Sequence, residues 1–483
     1  PWVVATGGGV LERPANRELL QRLGPWVWLF VDLERARARC LAQPGVRPLW
    51  QAQGAQELER RFWRRQWLYA RSGIWVDTRY QTPAELADRI VQALQQTPDG
   101  LVAGWVLGGH DSHPILAGPG LAGRAGELAD RCRLGETVLV VADAAVASTT
   151  GLAVEQALIG TGRRARLVAA GPGERAKSMA SWMGLYDRAL EAGLDRAGAV
   201  VCVGGGAVLD AGGFVAATYM RGVPWMAVPT TLLGQVDAAI GGKTAVNHPR
   251  AKNAVGAFHL PRLVAADTAA LDTLPAAELR SGLAEVIKHG LVGDCELLQA
   301  LEDALQAAAP GGGPVRGMLL REMVRDGSLA GWAARVKAVV VSEDPRERGR
   351  RAILNFGHTT AHALEAALGF RRIRHGEAVA VGMVTALELS RRVGILEEEG
   401  LQERLAALLR RLGLGAVRPG WPEPERLWEF MAHDKKNLSG RRRWVLLRRA
   451  GEPEVVAGAV DFPLFREVWE HQRRAWAEEG AGA

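Results

Sequence analysis

The sequence predicts an α/β fold, and three patterns along the chain support this prediction. Short apolar runs such as "WVVAT" and "VWLFVDL" alternate with helical stretches in residues 1–97, as in small α/β units. Strand-like runs such as "ETVLVVAD", "GAVVCVGGG" and "RLVAAD" recur between about 115 and 272, which is typical of a parallel, doubly wound sheet. From 273 onward helical periodicity replaces the strand signal, apart from a late "RRRWVLLRR" that fits a hairpin strand.

A chain of 483 residues is too long for a single core, so we expect several domains. The predicted segments are an α/β domain at 1–97, a linker with a first strand at 98–114, a second α/β domain at 115–272, an all-helical domain at 273–470 and a tail at 471–483. The chain opens directly inside the strand-like "PWVVATGGG", and we expect the full-length protein to carry further sequence before it.

The composition is that of an ordinary soluble globular protein, with 48% apolar and 23% charged residues. The formal charge of +7 is spread along the chain, which disfavours nucleic acid binding and suits a small anionic substrate. The four cysteines lie far apart without a CxxC pair, so we expect a reducing compartment and no cysteine-ligated zinc. No apolar run reaches membrane-spanning length and no signal peptide is visible, which predicts a cytoplasmic protein without membrane contacts.

A triple glycine joins a strand to a helix in "VVCVGGGAVLDAGGF" at 200–214. Glycines in such a turn let a phosphate approach backbone N–H groups and the helix N-terminus. The motif is not a strict GxGxxG, and a plain tight turn explains it equally well. Asp210 follows at a spacing suited to a ribose hydroxyl or to the next helical turn.

A second polar cluster lies in "TTLLGQVDAAIGGKTAVNHPRAKNAVGAF" at 230–258, which shows little helical or strand periodicity. Its polar residues are Asp237, Lys243, Asn247, His248, Lys252 and Asn253. A solvated surface loop is one interpretation. Because the polar groups alternate with Gly-Gly, Ala and Val, we favour a loop that binds phosphate or carboxylate groups.

The helical half contains a candidate metal site. His358 and His362 stand four apart in "LNFGHTTAHALE" and can share a helix face, while His375 opens a second apolar run. Thr359 follows His358, so the glutamate of an HExxH metalloprotease is absent. With Glu285 upstream, two histidines and one carboxylate form a plausible metal site, but spacing alone does not say which two histidines bind. Glu285 and Lys288 are themselves three apart and would also fit a plain helical ion pair.

Taken together, these motifs resemble the 3-dehydroquinate synthase family over residues 102–457. The resemblance rests on seven stretches in order: "PGERAKS", "GGGAVLDAGGFVAATYMRG", "VPTTLLGQVDAAIGGKTAVNHPRAKNAVGAFH", "LAEVIKHGL", "LNFGHTTAHALE", "HGEAVAVGM" and "HDKKNLSGRRRWVLL". It implies a doubly wound NAD-binding domain followed by a helical metal-binding domain.

The resemblance also implies roles for individual residues. The divalent metal, zinc or cobalt, would be bound by Glu285, His358 and His375, whereas His362 would face the substrate phosphate. The implied NAD contacts are Asp143, Glu174, Lys177, Gly204, Gly205, Gly206, Asp210, Thr230, Thr231, Asp237, Lys243 and Lys252. The implied substrate groups are Asp237, Lys243, Asn253, Lys288, Lys337, Glu347, Arg351, Asn355, His362 and either Lys435 or Lys436. Arg221 reaches the partner subunit's site in that family, which implies a homodimer.

The family's reaction makes these residue types intelligible. Its substrate, 3-deoxy-D-arabino-heptulosonate 7-phosphate, carries a carboxylate and a phosphate, which Lys and Arg side chains would bind. The metal acidifies a hydroxyl, NAD takes up and later returns a hydride, and phosphate leaves by elimination between these steps. An intramolecular aldol then closes the carbocycle of 3-dehydroquinate, in the shikimate pathway to chorismate and the aromatic amino acids. The whole site would depend on the metal lying against the nicotinamide ring.

Five positions depart from the family pattern. Ala238 and Ala239 stand where serines are usual, and Leu209 replaces a glycine. Ala145 replaces an asparagine, and His289 replaces a tyrosine. We expect these changes to alter NAD contacts while leaving the metal ligands and the substrate lysines intact.

The first 97 residues resemble the second half of shikimate kinase. Gly7 to Gly9 would match its shikimate-binding glycines, Arg47 its lid arginine and Arg65 a carboxylate-binding arginine, while Trp67 replaces a proline. The motif GxxxxGK[ST] is absent from this chain, so we expect the chain itself to lack kinase activity. The full-length protein would join both enzymes, and a degenerate kinase retained for folding or docking is the alternative.

Two other functions remain open at this stage. A metal-dependent alcohol dehydrogenase of the glycerol dehydrogenase type shares the two-domain plan, although a small neutral alcohol does not require "GGKTAVNHPRAKN" and "DKK". An inactive scaffold for the pathway would fit the five departures.

Overall fold

The computed structural model describes residues 3–42, 54–96, 102–108, 112–249, 251–370, 372–414, 421–432 and 442–481. The chain divides into two compact units. One, here called the sheet unit, contains Pro1–Pro229, Ala238–Asp267 and Ala334–Arg346; the other, the helical unit, contains Thr230–Asp237, Thr268–Ala333 and Glu347–Ala483. The domain boundaries expected from the sequence stay a prediction.

The sheet unit is built on a seven-stranded sheet. Its strands are β3 (Val102–Val106), β4 (His113–Gly118), β5 (Thr137–Asp143), β6 (Arg164–Ala170), β7 (Ala199–Gly204), β8 (Trp225–Pro229) and β11 (Leu263–Asp267). Their order across the sheet is β3-β4-β11-β8-β7-β5-β6. Only the β3–β4 pair is antiparallel; the other pairs are parallel. The inner strands β7, β8 and β11 are buried along their whole length, because helices cover both faces of such a sheet. The predicted doubly wound α/β fold is confirmed.

Helices connect the parallel strands of this sheet. They are α5 (Ala125–Arg131), α6 (Leu152–Gly160), α7 (Met179–Glu191) and α8 (Gly206–Thr218). Short 3₁₀ turns lie at Gly173–Lys177 and Tyr219–Arg221. The parallel pairing of β5 with β7 aligns Ala142 with Val203, so that Asp143 and Gly204 both lie at the carboxyl edge of the sheet.

Part of the span at 230–258, where the sequence shows little periodicity, is an antiparallel hairpin. Strands β9 (Lys243–His248) and β10 (Ala251–Phe258) pair with a register shift between Ala251 and Val255. All of β10 is exposed or half-buried, so no apolar alternation marks the strand. The favoured loop is therefore wrong for residues 243–248 and 251–258, and the exposure of β10 is the physical reason.

The first 96 residues form a smaller α/β part within the sheet unit. Its elements are α1 (Pro14–Leu23), β1 (Val27–Phe30), α2 (Leu33–Leu41), α3 (Ala55–Tyr69), β2 (Ile74–Asp77) and α4 (Pro83–Gln96). Strands β1 and β2 are parallel. The strand expected in "WVVAT" is wrong for the described residues, since Val3 and Val4 lie in no strand and are exposed. No described strand pairs with this apolar run, so extension would leave its backbone groups without ladder hydrogen bonds.

The helical unit matches the predicted periodicity. Its helices are α9 (Ala276–Val292), α10 (Cys295–Ala308), α11 (Gly317–Arg325), α13 (His358–Ala367), α14 (His375–Arg392), α15 (Leu401–Arg411), α16 (Pro424–Ala432) and α17 (Phe462–Ala481). Helix α12 (Ser328–Glu343) begins in this unit and ends in the sheet unit. The expected late strand is β12 (Arg443–Arg449), paired with β13 (Glu452–Ala457). Across the described residues, no helix combines the length and apolarity needed to cross a membrane.

The far end of α14 is fixed by Glu388. Its carboxylate accepts hydrogen bonds from Arg391, Arg392 and Gln402 at 2.6–2.8 Å. Burial raises the pKa of Glu388, but these bonds outweigh it and lower the pKa to about 2. Since the folded-state pKa lies below the unfolded value, the carboxylate stabilises the fold above about pH 4.5, and this contribution disappears as the pH falls towards 2.

Glu388→Gln is therefore expected to cost about 1–2 kcal/mol at pH 7. The urea midpoints of wild type and variant should approach each other as the pH is lowered from 5 to about 3. A gap between the midpoints that stays constant or widens over this range would contradict the assignment.

Candidate metal, cofactor and substrate sites

A buried group of three metal-ligand side chains lies in the helical unit. Glu285 comes from α9, while His358 and His375 are the first residues of α13 and α14. Their ligand atoms all lie within 4.8 Å of one another. His358 Nε2 is 3.6 Å and His375 Nε2 is 3.4 Å from the same oxygen of Glu285. One carboxylate and two imidazoles thus face a common point, as in metal sites that keep positions open for substrate.

Glycines allow the three helices to approach closely enough. A Cβ on Gly376, directly after His375, would lie 2.1 Å from the Ser281 carbonyl oxygen on α9. Gly357, directly before His358, has φ +77°. A Cβ on Gly382 of α14 would lie 1.9 Å from the carbonyl oxygen of Gly357. Larger residues at these positions would force the backbones apart, and the histidines with them.

Each histidine is oriented by a bond on its far side. The Nδ1 atom of His358 is 3.2 Å from the Phe356 carbonyl oxygen. That of His375 is 3.3 Å from a carboxylate oxygen of Glu365. Both contacts fit an Nδ1–H donor, which leaves Nε2 of each ring as the ligand atom. Sequence reasoning missed Glu365, although its position seven residues after His358 and three after His362 on one helix was a usable signal.

The charges around the group favour a cation. Burial opposes ionisation of Glu285, but the Lys288 ammonium and the His375 ring outweigh it and hold the pKa of the carboxyl well below its usual range. Burial lowers the pKa of His375, yet the nearby carboxylates of Glu285 and Glu365 outweigh it and raise the pKa to about 10. Burial and then Lys288 hold the pKa of His358 well below its usual value. Among the described residues, neither oxygen of Glu285 accepts a hydrogen bond of normal geometry, although Lys288 forms an ion pair with one of them. This arrangement fits a divalent metal.

His362 does not belong to this donor group. Its ring lies edge-on to that of His358, with centroids 5.3 Å apart. A second donor group of Asp237, Glu285 and His289 shares the glutamate. Asp237 Oδ1 is 4.0 Å from both Lys288 Nζ and His289 Nε2. The structure thus places one lysine between two carboxylates beside the candidate metal group.

The remaining predicted residues of the helical unit lie on short irregular segments. Asn355 donates to Glu347 at 3.0 Å, and Glu347 has φ +55°. Arg351 is buried, 1% exposed, in a 3₁₀ turn at Arg350–Asn355. Thr230 is buried, and the Thr231 hydroxyl accepts from the Gly234 amide at 3.0 Å.

The sheet unit contains the glycine turn at 204–206 for which phosphate binding is predicted. Gly205 is the N-cap of α8, with no side-chain cap. A Cβ on Gly204 would lie 3.0 Å from the Asp143 Cβ and 3.1 Å from the Val208 Cβ. Asp143 accepts from the Ala145 amide at 2.9 Å. A glycine turn between a buried strand and a bare helix N-terminus, at the carboxyl edge of the sheet, fits the phosphates of a dinucleotide.

A chain of polar contacts runs from this edge to the hairpin. Lys177 pairs with Asp210 at 2.6 Å and also donates to the side chain of Asn253. Burial outweighs the lysine's charge and raises the pKa of Asp210. The Asn247 side chain accepts from the Asn253 amide at 3.0 Å and donates to Glu174 at 2.7 Å.

The other predicted residues of the sheet unit lie outside the contacts of Lys177, Asp210, Asn247 and Asn253. Lys252 lies 3.7 Å from Glu174, and Lys243 is exposed at the start of β9. Arg221 has φ +69° and ends the 3₁₀ turn after α8. Lys337 is buried on α12. Lys435, Lys436 and Arg47 lie outside the described residues.

The departures from the family pattern are mostly accommodated in the core. Leu209 and Ala239 are buried, as is His289. The Ala238 Cβ lies 3.2 Å from where a Cβ on Gly206 would stand. In the first 96 residues, Trp67 is also a core residue, and Arg65 forms a 2.6 Å ion pair with Glu12.

Three family models together match about three quarters of the chain. The family models described as 3-dehydroquinate synthase N-terminal and C-terminal match residues 167–281 and 282–437. The shikimate kinase model matches residues 1–95. The 3-dehydroquinate synthase of Symbiobacterium thermophilum is 46% identical over 362 residues, which cover 74% of this chain and 98% of that protein.

Solved structures show the same fold. The structure of ValA, a 2-epi-5-epi-valiolone synthase from Streptomyces hygroscopicus with NAD⁺ and Zn²⁺ bound, is 28% identical with a TM-score of 0.66, and covers 75% of this chain and 97% of that one. A probable glycerol dehydrogenase from Sinorhizobium meliloti shares the fold at 16% identity and a TM-score of 0.51, covering 75% and 97%. Because two synthase family models match and a curated relative is 46% identical, the chain belongs to the 3-dehydroquinate synthase family, and its first 95 residues form a shikimate kinase-like segment.

Proposed function

We propose that this chain converts 3-deoxy-D-arabino-heptulosonate 7-phosphate into 3-dehydroquinate and inorganic phosphate. The observation that carries the proposal is the buried group of Glu285, His358 and His375 with Lys288 beside it, in a chain of this family. The reaction requires a metal next to a cation that binds anionic oxygens, and this group supplies both positions.

The cofactors follow from the donor sets. Glu285, His358 and His375 would hold the metal, and the turn at 204–206 with Asp143 would hold NAD. When bound, the metal lowers the pKa of a substrate hydroxyl, and NAD accepts and returns a hydride. ValA, which is 28% identical, carries both NAD⁺ and Zn²⁺, and this supports the same pair here.

The protein's own contribution is mainly to bind and orient an anionic substrate. The lysines Lys243, Lys288 and Lys337 supply positive charge for the substrate's carboxylate and phosphate. The leaving phosphate can itself remove the neighbouring proton, so the side chains around it need only hold it in place. Ring opening and aldol closure likewise require an orientation rather than a further catalytic acid.

A homodimer belongs to the same proposal. Arg221 ends a 3₁₀ turn with a left-handed backbone, and Met220 beside it is 40% exposed. A protruding arginine at such a turn suits a contact with a second copy of the chain. Light scattering of the purified chain would measure the mass directly, and a monomer would contradict this part of the proposal.

The test of the activity distinguishes it from both alternatives. Purified chain with NAD and zinc should release phosphate from the heptulosonate phosphate without net NADH accumulation, and a chelator should abolish the release. Steady NADH formation from glycerol would instead favour the dehydrogenase, whose fold is shared. Absence of phosphate release under every metal tried would favour an inactive scaffold.

A further inference from the structure

The kinase-like segment makes specific contacts with the end of α12 inside the sheet unit. Arg79, just after β2, donates through one guanidinium nitrogen to the Ser342 carbonyl oxygen at 2.7 Å and through another to the Leu107 carbonyl oxygen at 2.8 Å. Its side chain is 4% exposed, and it is held by Asp77, whose side chain is 1% exposed, in a two-bond pair at 2.8 Å. The Arg79 guanidinium is therefore buried and hydrogen-bonded to protein groups instead of to solvent.

The two parts cap each other's helices. Ser342 belongs to the last turn of α12, where carbonyl oxygens have no partner within the helix, and the Arg79 guanidinium supplies one. In return, the Glu343 carboxylate accepts from the Leu33 amide in the first turn of α2, at 3.0 Å. Negative charge is favourable at a helix N-terminus and positive charge at a C-terminus, so both contacts have the stabilising sign.

The strand β3 completes the attachment. The Ser342 hydroxyl accepts from the Leu107 amide at 2.8 Å, and Arg335 donates to the Ala103 carbonyl oxygen at 2.8 Å. Trp105 on the same strand donates to the Gly73 carbonyl oxygen at 3.1 Å. The segment, β3 and the C-terminal half of α12 are therefore joined by side chains at both ends of the stretch from 335 to 343.

Lys337 lies inside that stretch. It stands two residues after Arg335 and five before Ser342, and only 7% of it is exposed. Ala334–Arg346 belongs to the sheet unit together with the first 229 residues, although α12 begins in the helical unit. Contacts that fix this half of the helix therefore also fix the backbone that carries Lys337.

We propose that the kinase-like segment acts as a brace for the synthase, with Arg79 as the positioning residue that holds the C-terminal half of α12 and thereby Lys337. This inference rests on the proposed function for the role of Lys337 in binding substrate. It assigns the segment a task that requires neither ATP nor shikimate.

The test removes the buried pair without leaving a lone charge. Because loss of Arg79 alone would strand the buried Asp77 carboxylate, the variant is Arg79→Met with Asp77→Asn in the full chain. The matched control is Arg60→Met, which removes an arginine of the same segment whose ion pair with Glu57, at 3.5 Å, lies within α3. Ser342→Ala, which removes one bond from Leu107, serves as a milder second variant if the double variant does not fold.

Two readouts decide the outcome. Amide hydrogen exchange over 338–344 should accelerate about tenfold in the double variant, less in Ser342→Ala, and not in Arg60→Met. Phosphate release should show KM raised about tenfold with kcat within about twofold, since an ammonium that binds an anion acts on ground and transition states alike. In a Lys337→Met background the double change should leave KM nearly unchanged, because both changes act on one interaction.

The results that overturn the brace are distinct from those that overturn the proposed function. Unchanged exchange over 338–344, or a KM effect that adds in full to that of Lys337→Met, overturns the brace. A wild-type chain that releases no phosphate overturns the proposed function, and exchange still reports on the brace in that case.

Discussion

Glu285→Gln is expected to strip the chain of its metal and to lower kcat for phosphate release by at least about 1,000-fold. The substitution keeps the shape of the side chain but removes the negative charge that balances Lys288 and the two imidazoles. A neutral amide is a weak metal ligand, and two histidines alone leave the ion only partly held. Metal content by mass spectrometry and phosphate release should fall together.

Two further variants sharpen this experiment. Glu365→Gln, which alters only the carboxylate behind His375, should weaken metal affinity about 10- to 100-fold while leaving the site able to fill at high metal concentration. His471→Ala removes an exposed histidine of α17 and should change neither measurement. If Glu285→Gln kept one metal per chain and near-normal kcat, the assignment of the ligands would be wrong.

Lys288→Met is expected to separate metal binding from catalysis. The ammonium lies between Glu285 and Asp237, so its removal makes the donor group more negative and should leave the metal bound at least as tightly. Catalysis should nevertheless fall, with kcat/KM lowered about 100- to 1,000-fold, because a buried cation no longer stabilises charge on the substrate oxygens. The measurements are the same two as for Glu285.

Lys252→Met provides the comparison. This lysine has a 41% exposed side chain and lies 3.7 Å from Glu174, so its loss should lower kcat/KM by about tenfold or less. Parallel loss of metal and activity in Lys288→Met would show that the lysine supports Glu285 rather than the substrate.

The fold was largely predictable because its signal is local. Buried parallel strands such as β7 and β8 read as continuous apolar runs, and the helices of the second half follow a 3.6-residue period. The paired strands at 243–248 and 251–258 were not predicted, because the exposed second strand lacks the apolar alternation on which strand prediction depends. A strand was wrongly predicted in the apolar "WVVAT", because an apolar pattern forms a strand only where another strand pairs with it.

The candidate site was only partly predictable from residue patterns. Spacing offered His358 with His362, while the structure groups His358 with His375 and Glu285, which lie 17 and 73 positions away along the chain. That grouping depends on helices packing through Gly376 and Gly382, and no local pattern reports such contacts. The same is true of Arg79 and Ser342, whose hydrogen bond joins positions 263 apart.

The glycine contacts between α9, α13 and α14 have a consequence for anyone who would redesign this enzyme. Saturation libraries aimed at new substrates should spare Gly357, Gly376 and Gly382, because even alanine there collides with a neighbouring main chain. Such libraries should instead randomise the surrounding polar side chains, because these can change while the helix packing that orients the two imidazoles stays intact.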